Sequence, residues 1–238
     1  PPTTRRKPRC AKRRFALAEF LNALRRLVSK ELRVEFRSRG MISTSLSFAL
    51  CSLILCGVGF GGFITDARTA SVLFWIIALF AAMSPVAHLF LREQEEGTAA
   101  LLELHFTPDE VFLSKALCGS IFVLFSLGLL APLFAGFFGL TVTSPVLFTA
   151  VVACGGLSAA CSTSFAGAVA SRAEGKGALF AVLSIPAALP VLTAASHGMH
   201  CALSGTEGGW NDAGFCLAYA AVMTAVSTKL YQTISTEE

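Results

Sequence analysis

ALCGSIFVLFSLGLLAPLFAGFFGLTVTSPVLFTAVVACGGLSAACSTSFAGAVAS, residues 116–171, holds no Asp, Glu, Lys, Arg or His between Lys115 and Arg172. A bilayer core takes roughly 20 apolar residues of helix, so an uncharged run of this length holds two crossings. The turn between them falls at Thr141 to Pro145, where hydroxyl residues and a proline cluster. Working outward, the uncharged gaps Arg39–Asp66, Arg68–Arg92, Lys176–Glu207 and Asp212–Lys229 hold one crossing each. Six membrane helices follow, expected over residues 43–64, 69–91, 114–138, 146–170, 178–200 and 211–229. The last is the weakest, because its uncharged part is short and Tyr219 and Tyr231 suit an interface. The runs are continuous and not alternating, which excludes a β-barrel. Composition agrees: 54% hydrophobic, 14% charged and a mean hydropathy of +0.67 exclude disorder and argue against a soluble globule.

Charge by position gives an orientation. Thirteen of the 19 Lys/Arg lie in residues 1–40 beside only three acids. With the amino terminus inside, the cytoplasmic side collects these thirteen together with Arg92, Lys115, Arg172, Lys176 and Lys229, and the outer side keeps Arg68 alone. Basic residues accumulate on the cytoplasmic face, so both termini are expected there.

The basic head divides in two. Residues 1–14, PPTTRRKPRCAKRR, contain proline and no acid and read as a disordered basic arm or a transit-like extension. Over 15–39 the pattern is that of an amphipathic helix, with Phe20, Leu24, Leu27 or Val28, Leu32 and Phe36 at helical spacing. Arg25, Arg26, Lys30, Arg33, Arg37 and Arg39 fill the other positions, as in a helix lying in the cytoplasmic interface against anionic lipid. Residues 40–238 then form the membrane domain.

Its one long polar insertion is an elbow over 92–115. Arg92, Glu93, Glu95 and Glu96 leave the second crossing, Gly97 and Thr98 follow, and a short helix-compatible segment presents Leu101, Leu102 and Leu104. Thr107-Pro108-Asp109-Glu110 then has the form of a capping box with proline at the first helical position. An acidic, leucine-bearing elbow suits a cytoplasmic partner; an ordinary solvated loop is the alternative open at this point. A second, shorter loop carries Arg172, Glu174 and Lys176.

Away from Lys115, Asp212 and Lys229 at their ends, the crossings contain no Asp, Glu, Lys or Arg, hence no proton relay or ion-coupling site in their interior. No GxxxxGK[ST] motif occurs; Glu174-Gly-Lys-Gly177 lacks its spacing and its hydroxyl, so ATP hydrolysis would have to come from another chain. Small residues instead recur: Gly57 and Gly61 in a GxxxG, and Gly156, Ala160, Ser164 and Ala168 at four-residue spacing. Pro85, Pro132, Pro186 and Pro190 fall inside crossings, with Pro85, Pro186 and Pro190 as candidate kinks. Packing alone accounts for most such features.

None of the eight cysteines has CxxC spacing, and Cys201 alone lies near the outer side. His197 and His200, at i and i+3, could face one way and contact a haem iron or a metal there; interface histidines are the plainer account. Gly156-Leu-Ser158-Ala159 faintly resembles the serine motif of intramembrane proteases, but the final glycine is missing.

The basic lead-in over 24–39, the elbow with Phe90, Arg92, Glu93, Glu96, Gly97, Thr98, Leu101 or Leu102 and Pro108, and the run from Arg172 to Leu192 with Pro186 and Pro190 resemble the haem exporter protein B (CcmB) family. The resemblance covers about residues 24–230. Thr107 stands where the family has serine, and His105 and Phe106 replace leucines. It implies an all-α membrane subunit of a type 2 ABC exporter in cytochrome c maturation, not itself an enzyme and binding no cofactor or metal of its own. ATP and Mg would sit on a CcmA-like cytoplasmic ATPase, CcmC-like and CcmD-like membrane subunits and a CcmE-like haem chaperone would be partners, and haem would be the cargo. A second copy of the chain is a further candidate partner; nucleic acid is not. The implied location is the bacterial inner membrane, or the mitochondrial inner membrane in a eukaryote. A type 2 permease for a glycan or drug is the rival reading.

Overall fold

The computed structural model describes residues 22–34, 40–62, 66–95, 107–171 and 176–236. Among these, seven helices form and no strand: α1 (22–34), α2 (Gly40–Gly59), α3 (Ala67–Glu95), α4 (Pro108–Phe137), α5 (Pro145–Ala170), α6 (Lys176–Ser204) and α7 (Gly209–Thr236). Residues 1–21, with the basic arm of 1–14, lie outside the described residues.

Among the described residues, five stretches are long and apolar enough to cross a membrane: Ala67–Phe90, Asp109–Phe137, Pro145–Ala170, Gly177–Ser204 and Gly209–Tyr231. The weakest expected crossing, the last, is among them. The first is shorter than expected. Its apolar part is Ser43–Gly59, and the helix stops at Gly59 because the chain turns through Gly61 and Gly62, both in the left-handed region at φ 67° and 86°. The expected Gly57–Gly61 packing pair is thereby corrected. Gly57 faces the Phe137 ring with no room for a Cβ, whereas Gly61 lies in the turn with nothing near it.

Helix starts follow local chemistry. Asp66 caps α3, its carboxylate accepting from the Thr69 backbone N–H at 3.0 Å and hydroxyl at 2.6 Å and from the Arg68 N–H at 3.3 Å. These bonds, the Thr69 hydroxyl first, hold the Asp66 carboxyl below the usual carboxylate range. The expected capping box opens α4, with Pro108 in the first turn and the Glu110 carboxylate accepting from the Thr107 N–H at 2.9 Å. Pro145 stands in the first turn of α5, where its missing N–H costs nothing.

Helix α5 is the centre of the bundle and touches α3, α4, α6 and α7. Its small residues permit this. Ala160 and Ala168 are fully buried and Ser164 nearly so, while a Cβ on Gly156 would sit 2.7 Å from Leu127 and one on Gly167 2.8 Å from Phe90. Gly155 meets the Trp75 ring. Helix α2 packs on α3 and α4. Many apolar side chains face outward, including Leu55, Val58, Phe125, Val146, Val182 and Val222, as a lipid-facing surface requires.

None of the four intrahelical prolines interrupts its helix. Pro85 shows how one is accommodated. Lacking an N–H, it leaves the Ala81 carbonyl without its helical partner. The fully buried Ser45 of α2 donates its hydroxyl to that carbonyl at 2.7 Å.

Candidate functional site

Two ends of the bundle carry chemistry. At one end α3 stops at Glu95 and α4 begins at Pro108, flanking the expected elbow. Arg92, Glu93 and Glu95 belong to the last turn of α3; Glu96, Gly97, Thr98, Leu101, Leu102 and Leu104 lie outside the described residues. So do Arg172 and Glu174 of the second loop, while Lys176 is the first residue of α6.

What lies under the elbow was not anticipated. Phe90 of α3 and Phe112 of α4 stand 5.9 Å apart between ring centroids, and Phe112 stands 5.8 Å from Tyr231 of α7. Lys115, 5% exposed, sets its ammonium 5.4 Å over the Phe90 ring. Gly167 of α5 lies against Phe90, with no room for a Cβ. The helix ends that flank the elbow are thus tied into α5 and α7 by one aromatic cluster. The sequence hint was Phe90, Phe112 and Lys115 at the inner margins of two crossings, but only the fold supplies Tyr231.

Helix α1 docks at this bundle through Leu27, which is buried, and through Val28 and Leu32. The Val28 carbonyl accepts a 3.7 Å contact from the Cys118 thiol of α4. Arg25, Arg26, Lys30 and Arg33 remain on its exposed side. The helical part of the amphipathic reading therefore stands for 22–34; Phe20, Phe36, Arg37 and Arg39 lie outside the described residues.

The opposite end gathers three turns. The Ser144 N–H donates to the Ala202 carbonyl at 3.0 Å and the Thr143 hydroxyl to the Leu203 carbonyl at 2.7 Å, joining the α4–α5 turn to the end of α6. Here His197 and His200 both lie on α6, but His197 turns to α7: its Nδ1 is 2.6 Å from the Asp212 Oδ2. His200 has its buried Nδ1 without a hydrogen-bond partner among the described residues. Among the described residues, the grouping that could hold a metal is His197, Cys201 and Asp212.

Between the two ends runs α6 with Pro186 and Pro190. The Tyr219 hydroxyl of α7 donates to the Ala187 carbonyl at 2.8 Å, bracing α6 between its prolines. Ser158 is fully buried, and its hydroxyl has no hydrogen-bond partner, a histidine included, among the described residues.

Comparison with known proteins places this architecture. The chain is 30% identical over 188 residues to heme exporter protein B of Rhodobacter capsulatus, covering 78% of this chain and 84% of that protein. The CcmB protein family matches residues 22–231, from the start of α1 to Tyr231 of the aromatic cluster. The chain belongs to the CcmB family.

Proposed function

We propose that the chain is the membrane-spanning subunit of a type 2 ABC exporter for haem in cytochrome c maturation. The observation that carries the proposal is the family match across 22–231, which includes both the elbow and the helices that brace it. In this reading α2 is the sixth crossing, because Ser43–Gly59 extends about 26 Å at 1.5 Å per residue, close to the hydrocarbon thickness. The termini lie in the cytoplasm, the membrane is the bacterial inner membrane or its mitochondrial counterpart, and α1 rests in the interface with its arginines toward anionic lipid.

The chain hydrolyses nothing itself. A CcmA-like ATPase holding ATP and Mg grips the elbow around Glu93 to Leu104, with the loop of Arg172, Glu174 and Lys176 alongside. Closure of the ATPase on ATP moves the elbow, and α3 and α4 move with it. The cluster of Phe90, Phe112, Lys115 and Tyr231 makes α5 and α7 follow, since close-packed aromatic side chains transmit displacement instead of absorbing it. Helix α6, packed on α3, carries the shift to the far end, with its two prolines as the compliant segment. There the movement serves export of haem or release of a haem-loaded CcmE-like chaperone, in company with CcmC-like and CcmD-like subunits.

Depletion of the chain in its own cell tests this. Haem staining of c-type cytochromes is expected to fall to background while b-type haem proteins persist. Undiminished c-type cytochromes, or a defect confined to surface glycans, would overturn the assignment.

A further inference from the structure

The end of the bundle opposite the elbow holds a set of donors that the proposed export function does not use. His197 and Cys201 are four residues apart on α6 and so share one of its faces. Asp212, in the first turn of α7, is brought against them by a hairpin whose glycines do specific work. Gly205 and Gly208 take φ values of 75° and 110°, which close the turn. Gly198 and Gly209 let the helices meet: a Cβ on Gly198 would stand 3.1 Å from that of Asp212, and one on Gly209 would stand 3.0 Å from that of Cys201 and 3.3 Å from the Gly198 carbonyl. The result places an imidazole nitrogen, a thiol sulfur and a carboxylate oxygen within 4.8 Å of one another.

We infer that His197, Cys201 and Asp212 form a three-ligand site for a divalent transition-metal ion of the zinc class, leaving the fourth position to water. The donor set decides the class. A soft thiolate, a borderline imidazole and a hard carboxylate together suit zinc or cobalt, whereas calcium and magnesium take oxygen alone. The separations, up to 4.8 Å within the set, lie within a small side-chain adjustment of those a metal needs. Bonds of about 2.0–2.3 Å in a tetrahedron separate ligand atoms by about 3.3–3.7 Å. The His197–Asp212 pair, at 2.6 Å, has only to open slightly, and the imidazole is free to do so because the His197 side chain is 60% exposed while Asp212 is 20% exposed.

Binding exchanges the thiol proton for the ion: Cys201 ligates as the thiolate, His197 as the neutral imidazole through Nδ1 with its ring proton on Nε2, and Asp212 as the carboxylate, so that three metal–ligand bonds form without change of oxidation state. The last carbonyls of α6 present the negative end of that helix to the cation. Access exists, since Cys201, although 1% exposed, lines a cavity of about 360 Å³ bounded by the 205–209 turn and Trp210. Its thiol makes only a 3.8 Å contact with the Glu207 carbonyl there, which a metal bond readily replaces.

Cobalt(II) titration of the full-length chain, purified in detergent under reducing conditions, tests the site. Wild-type protein is expected to take up one equivalent, with tetrahedral visible bands and a thiolate-to-cobalt charge-transfer band, both displaced by zinc. Cys201→Ser should remove the charge-transfer band although the other seven cysteines remain. His197→Gln, at a side chain that is 60% exposed, should weaken binding at least tenfold, as should Asp212→Asn. His200→Gln should change nothing. Absence of the charge-transfer band in wild type, or wild-type affinity retained in the His197→Gln and Cys201→Ser variants, would overturn the inference.

Discussion

Ser45 and Pro85 illustrate how single residues hold this bundle together. In a hydrocarbon surrounding, a carbonyl without a partner has no water to turn to. Ser45→Ala leaves the Ala81 carbonyl in that position and is expected to cost about 1–3 kcal/mol. In a Pro85→Ala background, the restored backbone N–H serves the same carbonyl, so the same substitution should cost markedly less. Unfolding of the four proteins in mixed micelles measures the difference; equal penalties in both backgrounds would break the pairing. Neither partner is legible alone, because the spacing of 36 residues between Ser45 and Ala81 is set by how α2 lies on α3. The same limit applies to the proposed metal ligands. Spacing along the sequence paired His197 with His200, whereas Asp212 comes from another helix, which the turn at 205–209 brings against His197.

At the scale of elements, the sequence was most informative where a local rule operates. Thr107-Pro108-Asp109-Glu110 specified the start of α4, and the structure contains the box. Glu110→Ala removes the acceptor for the Thr107 N–H and an anion from the positive end of the helix, together worth about 1 kcal/mol. Amide exchange in the first turn of α4 should therefore accelerate about fivefold, and Glu110→Gln, which keeps the acceptor, should recover most of it. Because α4 begins at the elbow, this loosening would be felt where the ATPase is proposed to grip. Span limits were less legible. The helices run beyond the apolar crossings: α3 extends to Glu95 although its apolar stretch ends at Phe90, and α4 starts at Pro108, where the capping box puts it. The first proves shorter, because Gly61 and Gly62 turn the chain before the apolar residues are exhausted.

For the whole molecule, uncharged runs were enough to indicate a helical membrane bundle, since a bilayer leaves few other solutions for such sequences. They could not indicate which helix is central. That follows from the small residues of α5, whose four-residue repeat was visible but whose partners, Leu127, Trp75 and Phe90, were not. The acidic elbow stood out because charge is scarce elsewhere, yet what connects it to the bundle is apolar: an aromatic cluster drawn from α3, α4 and α7, capped by the buried Lys115. The central claim is that a motor carried on another chain acts at that elbow. Co-purification of the CcmA-like ATPase with this chain, wild type against the variant in which Glu93, Glu95 and Glu96 are all changed to Lys, tests it most directly. The account predicts that the charge-reversed chain still reaches the membrane but retains less than a tenth of the ATPase; undiminished association would contradict it.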